Sequence, residues 1–258
     1  MFESRRAHHN GVILKKELKK QIKEDEFLSG IEIAWRWFEG NRKLAQSVLV
    51  ATLAALVLAG GLSFLRSRRD AEASSGFEAA MRIYETPYAS ELPSPPQDGI
   101  APFASKADKF TKAAAAFDGV ERGHPAHALG RRARYYAALS RIELGDEAAA
   151  EKALKALADA QPASSLEGAL ARVAIADLKR RSGATDGAVE AYRVLVDDAS
   201  FALPRDFVLM SLASALEGAS RTTEAVASYR RLYEQFPESV YAPEAQRRAA
   251  YLRPESRG

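Results

Sequence analysis

Residues 225–245 read AVASYRRLYEQFPESVYAPEA. Ala225 is followed by Tyr229 at i+4 and Leu232 at i+7, and Pro237 comes five residues later. That spacing puts three apolar side chains on one face of an α-helix. Proline then stops the helix, because it has no N–H to donate and clashes with the preceding turn. The pattern occurs three more times upstream: Ala113, Phe117, Val120, Pro125; Ala150, Leu154, Leu157, Pro162; and Ala188, Tyr192, Leu195, Ser200. Successive alanines lie 37, 38 and 37 residues apart. A near-constant period of this length is the signature of stacked helical units, each unable to bury its apolar face alone.

Each unit needs a first helix to pack against the one just described. Gly145 and Gly183 stand five residues before their aligned alanines, where two antiparallel helices require a tight turn, and Asp146 follows as an N-cap. In the last unit Leu209, Leu212, Ala213 and Leu216 form the first-helix face. In the third, Leu170, Val173, Ala174 and Leu178 align only with a shift. Residues 71–86, with Phe77, Met81 and Tyr84 on one face, supply the first helix of a split leading unit. Residues 87–102 hold five of the chain's eleven prolines and interrupt it. Helix is expected to resume near Phe103 and run to Val120. Ala242, Ala245, Ala249 and Leu252 make a closing helix, as a solenoid end requires, and residues 254–258 are expected to be loose.

These units resemble the tetratricopeptide repeat (TPR). That family's motif has small residues at its eighth and twentieth positions, a bulky one at the twenty-fourth and proline at the thirty-second. The period here is three or four residues longer than the family's, the large first-helix aromatic is missing, and the third unit has Ser200 in place of proline.

A different pattern precedes the array. Residues 44–65, LAQSVLVATLAALVLAGGLSFL, contain no charge. As a helix they cover about 33 Å, against about 30 Å of bilayer hydrocarbon. Arg42 and Lys43 close one end and Arg66, Arg68 and Arg69 the other, while Trp35, Trp37 and Phe38 stand where an interfacial aromatic belt belongs. Gln46, Ser47, Thr52 and Ser63 are too few for the polar stripe of a core helix. A cleaved signal peptide starts nearer the N-terminus and has a shorter apolar region. The fold expected is therefore all-α: one transmembrane helix followed by a TPR-like solenoid of antiparallel helix pairs. The segments are a tail over 1–43, the span over 44–65, the array over 66–253 and a C-terminal end over 254–258.

Charge orients the span. The chain has 37 Lys/Arg and 34 Asp/Glu, a formal net charge of +3. Residues 1–43 carry ten basic and seven acidic side chains, which leaves 27 of each downstream. The neutral array has no basic field for nucleic acid. The positive-inside tendency puts the tail in the cytoplasm and the array outside, in the periplasm of a bacterium with two membranes. Within the tail, LKKELKKQIK (14–23) places Leu14, Leu18 and Ile22 on one face among five lysines. Such a helix can touch anionic lipid or a cytoplasmic partner, or serve only to fix topology.

A basic tail, an aromatic juxtamembrane turn (IEIAWRWFEGNRKLA, 31–45), one span and a TPR-like array together resemble the ancillary subunit family of the SecYEG translocon. That resemblance implies an inner-membrane protein whose periplasmic domain passes exported chains towards chaperones. The last unit also looks like the TPR domain of the cell-division coordinator of the Tol–Pal system, a soluble exported protein, against which an uncleaved span argues. The alternative reading is a structural or assembly subunit of another envelope complex.

Catalytic chemistry finds little material. There is no cysteine, and no phosphate loop, nucleophile elbow or zinc signature occurs, so neither enzyme activity nor a cofactor or metal is expected. His124 and His127 flank Pro125 and read as solvated turn residues. Glu143, Asp146, Glu147 and Glu151 read as caps and a wet helix face, and Arg131, Arg132 and Arg134 as a solvated face. By analogy with the repeat, Arg132, Tyr135, Leu139, Phe207, Met210 and Ser214 are expected to face a concave partner-binding groove.

Overall fold

The computed structural model describes residues 39–89 and 102–252. The Lys-rich tail, the aromatic juxtamembrane segment to residue 38, most of the Pro-rich insertion and the C-terminal end lie outside the described residues. The chain divides into two compact units, Met1–Ser67 and Arg68–Gly258.

Helix α1, Arg42–Glu85, contributes to both units. It contains the uncharged run and continues through the expected first helix of the split repeat. Its most apolar 18-residue window has a mean hydropathy of 2.4 and none of it is buried. By length and composition it can cross a bilayer. Ser47 and Thr52 return their hydroxyls to backbone carbonyls one turn earlier, Ser47 to Lys43 at 2.5 Å and Thr52 to Val48 at 2.8 Å, so they present no free polar stripe.

The second unit is a series of antiparallel helices: α2 Lys106–Gly123, α3 Ala128–Glu143, α4 Glu147–Ala160, α5 Leu166–Arg181, α6 Thr185–Asp197, α7 Arg205–Gly218, α8 Thr222–Gln235 and α9 Ala242–Tyr251. Each of α2 to α8 packs on the helix that follows it, and α3 also touches α5. All twelve apolar residues of the aligned triplets are buried. So are Leu209, Leu212, Ala213 and Leu216 of α7, and Ala242, Ala245, Ala249 and Leu252 at the closing end.

The register of the first helices is more regular than expected. Ala138, Ala176 and Ala213 each stand twelve residues before an aligned alanine and are fully buried. The third unit therefore needs no shift, because Ala176 rather than Ala174 is its crossing residue. In the split unit Ala80 of α1 takes this place, fully buried in one cluster with Ala113 and Phe117.

Turns explain the period. Gly145 and Gly183 have φ of +82° and +81°, a left-handed backbone that costs other residues about 1–2 kcal/mol. Ser220 occupies the equivalent place in the last unit at φ +58° without being glycine. At the opposite edge, a β-carbon on Gly130 would sit 1.9 Å from the His124 carbonyl oxygen, and one on Gly168 2.2 Å from that of Pro162. The incoming turn thus rests directly on the first turn of the next helix. Where Ser200 replaces proline, Asp198 supplies the turn: its carboxylate accepts from the Ser200 N–H at 2.8 Å and the hydroxyl at 2.7 Å. These two bonds hold the Asp198 carboxyl below its usual pKa.

Three expectations are corrected. Helix does not resume at Phe103. Phe103 pairs in a parallel β-bridge with Tyr88, and α2 starts at Lys106 because Ser105 caps it, accepting from the Asp108 N–H at 3.1 Å. His127 is no solvated turn residue. Its Nδ1 accepts from the Leu129 N–H at 3.1 Å as the N-cap of α3, and its Nε2 faces Asp70 at 3.2 Å. The arginine run on α3 is not a free face: Arg132 pairs with Glu167 at 3.1 Å, Arg134 with Glu121 at 2.6 Å, and Arg131 donates to the Ala126 carbonyl at 2.7 Å. Asp146 does cap α4, accepting from Ala149 at 3.2 Å.

Candidate partner-binding groove

With Ala138, Ala176 and Ala213 as the buried crossing residues, helix periodicity fixes what lies beside them. Positions three before, one after and four after share the neighbouring face. They are Tyr135, Leu139 and Ile142 on α3; Val173, Asp177 and Arg180 on α5; and Met210, Ser214 and Glu217 on α7. Around Ala80 they are Phe77, Met81 and Tyr84 of α1.

The helices α1, α3 and α5 meet along this face. A pocket of about 300 Å³ is lined by Tyr84, by Tyr135, Leu139, Ile142 and Glu143, and by Val173, Ala174, Asp177, Leu178, Arg180 and Arg181. Its apolar floor comes from Leu139, Ile142, Val173, Ala174 and Leu178. Its rim carries two phenols, two carboxylates and two guanidinium groups. A cluster of tilted aromatic rings backs it: Tyr84 lies 5.4 Å from Tyr136 and 6.1 Å from Phe117, and Tyr135 lies 5.5 Å from Tyr136. Edge-to-face packing of this kind fixes ring orientation as well as burying area.

The polar rim is largely self-compensated. The Tyr192 hydroxyl, buried beneath the groove, donates to Asp177 at 2.7 Å, and Arg180 reaches the same oxygen at 3.4 Å. Glu143 pairs with Lys106 at 2.6 Å. Burial first, and the nearby Tyr136, Tyr84 and Asp177 second, push the Tyr135 phenol up to about 12. Burial and Glu143 raise Tyr84 in the same direction. Both phenols stay neutral donors over the whole physiological range. The result is an apolar trough with hydroxyl donors along one side, which can receive a side chain or backbone.

Of the six residues expected in the groove, Tyr135 and Leu139 line this pocket. Arg132 is tied down by the largely buried Glu167. Phe207, Met210 and Ser214 lie on α7, outside the pocket. Phe207 and Met210 pack on the core of the last two units, and Phe207 lies 6.2 Å from the Tyr241 ring. Ser214 is exposed, 3.4 Å from the Tyr229 hydroxyl, which donates to Glu217 at 2.9 Å. Tyr84, Ile142, Val173, Asp177 and Arg180 also line the pocket and are not among those six. Counting 38 residues from Ala138 to Ala176 would have found the last three of these. Among the described residues no group of three or more His, Asp or Glu side chains is placed to hold a metal ion.

The fold and groove define a helical-repeat interaction domain. The chain belongs to the tetratricopeptide repeat-like domain family, whose profile matches residues 35–204, and a tetratricopeptide repeat profile matches residues 207–239. Such repeats are protein-interaction modules and typically non-catalytic. No curated protein matches the sequence. Among solved structures, a variant of a kinesin light chain protein of Podosopora anserina, with nearly identical TPR-like repeats, aligns with a TM-score of 0.52. It is 14% identical over 70% of this chain and 84% of that one, a likeness of fold alone. A second structure of that repeat protein gives a TM-score of 0.45 at 15% identity, over 72% and 97% of the two chains.

Proposed function

We propose that this protein is a membrane-tethered scaffold whose repeat domain binds segments of other proteins in the groove between α1, α3 and α5. The observation that carries the reading is the convergence of Tyr84, Tyr135, Leu139, Ile142 and Val173 on one open pocket while the triplets behind them are sealed. An apolar trough edged by phenols accepts extended or helical segments without strict sequence choice. The uncovered apolar run of α1 supports the tether, because no protein surface among the described residues takes its side chains out of water.

The finer reading follows from the sequence resemblance. The tail is cytoplasmic, the array is periplasmic, and the clients are exported chains received beside the translocon and handed to chaperones. A photoreactive amino acid in place of Tyr135, used in native membranes, tests both levels. Adducts to protein that disappear when export is blocked are expected. Adducts that persist, in fixed proportion to one envelope complex, would indicate an assembly subunit instead. Recovery of only lipid or self adducts would remove the groove from consideration. Protease accessibility of the array in spheroplasts decides the topology.

A further inference from the structure

We propose that the turn between α2 and α3, together with the start of the repeat domain, forms an arginine-lined site for anionic phospholipid headgroups. It rests on the membrane tether proposed above. His127 at the N-cap of α3 contacts Asp70 of α1 at 3.2 Å, which fixes the α2–α3 turn beside the first residues of the repeat domain. Asp70 is five residues after Leu65, the last apolar residue of the uncharged run. Five residues reach at most about 17 Å even when extended. If the run is in the bilayer, this turn is held close to the headgroups at whatever angle the chain leaves it.

Charge around the turn suits that position. Arg69 and Arg122 are exposed and have no ion pair among the described residues. Arg68 has only Glu72, at 4.0 Å with both side chains well exposed. Arg131 uses one nitrogen on the Ala126 carbonyl, and its Nε is buried without a partner. Of the acids nearby, Glu121 is paired with Arg134, and Asp70 accepts from His127. The three equivalent turns farther along the array are not basic. Asp159 flanks the second and offsets Arg172, which donates to the Ala158, Gln161 and Gly168 carbonyls there. Asp197 and Asp198 offset Arg205 at the third. Glu234, Glu238 and Glu244 surround the fourth. The basic excess is thus confined to the turn that contacts Asp70, five residues after the uncharged run ends. Phosphate is a group that guanidinium recognises well, through paired N–H donors.

The absence of cysteine makes the test direct. A single cysteine is introduced as Ala126→Cys, on the exposed turn, or as Ala184→Cys, on the opposite edge of the array, and spin-labelled. The full chain is reconstituted in vesicles containing phosphatidylglycerol. Collision with a water-soluble nickel complex should be several-fold lower at 126 than at 184. The difference should shrink in purely phosphatidylcholine vesicles and in high salt. Arg69→Glu with Arg122→Glu should abolish it and the two Arg→Lys changes should keep it, since each basic residue is worth about fivefold in headgroup association. Equal collision rates at 126 and 184, or rates indifferent to charge reversal, would overturn the site. Alkaline extraction of the same vesicles separates the two levels. Chain that extracts completely overturns the tether and this site together. Chain that stays inserted with residue 126 fully accessible overturns the headgroup site alone.

Discussion

Two apolar regions of this chain meet opposite environments. Between Leu44 and Leu65 the large side chains, among them Leu53, Leu56, Val57 and Phe64, are more than half exposed. From α2 to α8 the triplets built around Ala113, Ala150, Ala188 and Ala225 are sealed from water. The residue types are alike, and what differs is their spacing. A triplet at i, i+4, i+7 occupies one side of a helix, and one neighbouring helix can cover it. An uninterrupted run is apolar all round, so a single neighbour would leave most of it wet. The array is therefore held together by its own units, whereas none of the run's most apolar window is buried.

That contrast can be broken from either side. The largest effect is expected for Tyr192→Ala, which opens a cavity under the groove and removes the hydroxyl that donates to Asp177. It should cost about 3–5 kcal/mol, read as a lower denaturant midpoint of the repeat domain, with no change in alkaline extraction. Leu56→Arg is the converse. A charge at the middle of a span costs about 2.5–3.5 kcal/mol, so the extractable fraction should rise while the helical domain's unfolding midpoint stays put. If Leu56→Arg instead unfolds the domain, the run is a covered core helix and the comparison fails.

Smaller changes sharpen the picture within the array. Gly183→Ala forces a β-carbon into a left-handed turn and should lose about 1–2 kcal/mol, measured by thermal unfolding. Ser220 sits in the same backbone region without being glycine. Ser220→Gly should therefore stabilise the last unit, by about 0.5–1 kcal/mol once the extra freedom of the unfolded glycine is subtracted. Opposite signs at these two equivalent positions would show that the turn geometry, not the local contacts, sets the repeat's stability.

Most of the second helices could be read in advance because their buried face depends on spacing alone, and all twelve aligned residues are inside. The first helices were harder. Alanine is abundant, and in α5 both Ala174 and Ala176 are buried, so a local pattern does not say which one crosses its partner. The groove suffered from the same ambiguity. Tyr135 and Leu139 could be named from the second unit, but Val173, Asp177 and Arg180 could not until Ala176 was in register. His127 was misread for a related reason: its partner, Asp70, lies 57 residues away in the chain, and no local motif announces such a pairing.

The sequence by itself determined the number of repeats, their period, the helix stops and the uncharged run, since each depends on residues within one or two turns of each other. Only the tertiary structure decided that Tyr84, Tyr135 and Asp177 face a common pocket, that Ser220 can take a glycine's place, and that the arginines of α3 are ties between helices. Those outcomes depend on how helices cross. The crossing is set by the packing of whole faces against each other, a sum over many weak contacts that no short stretch of chain contains.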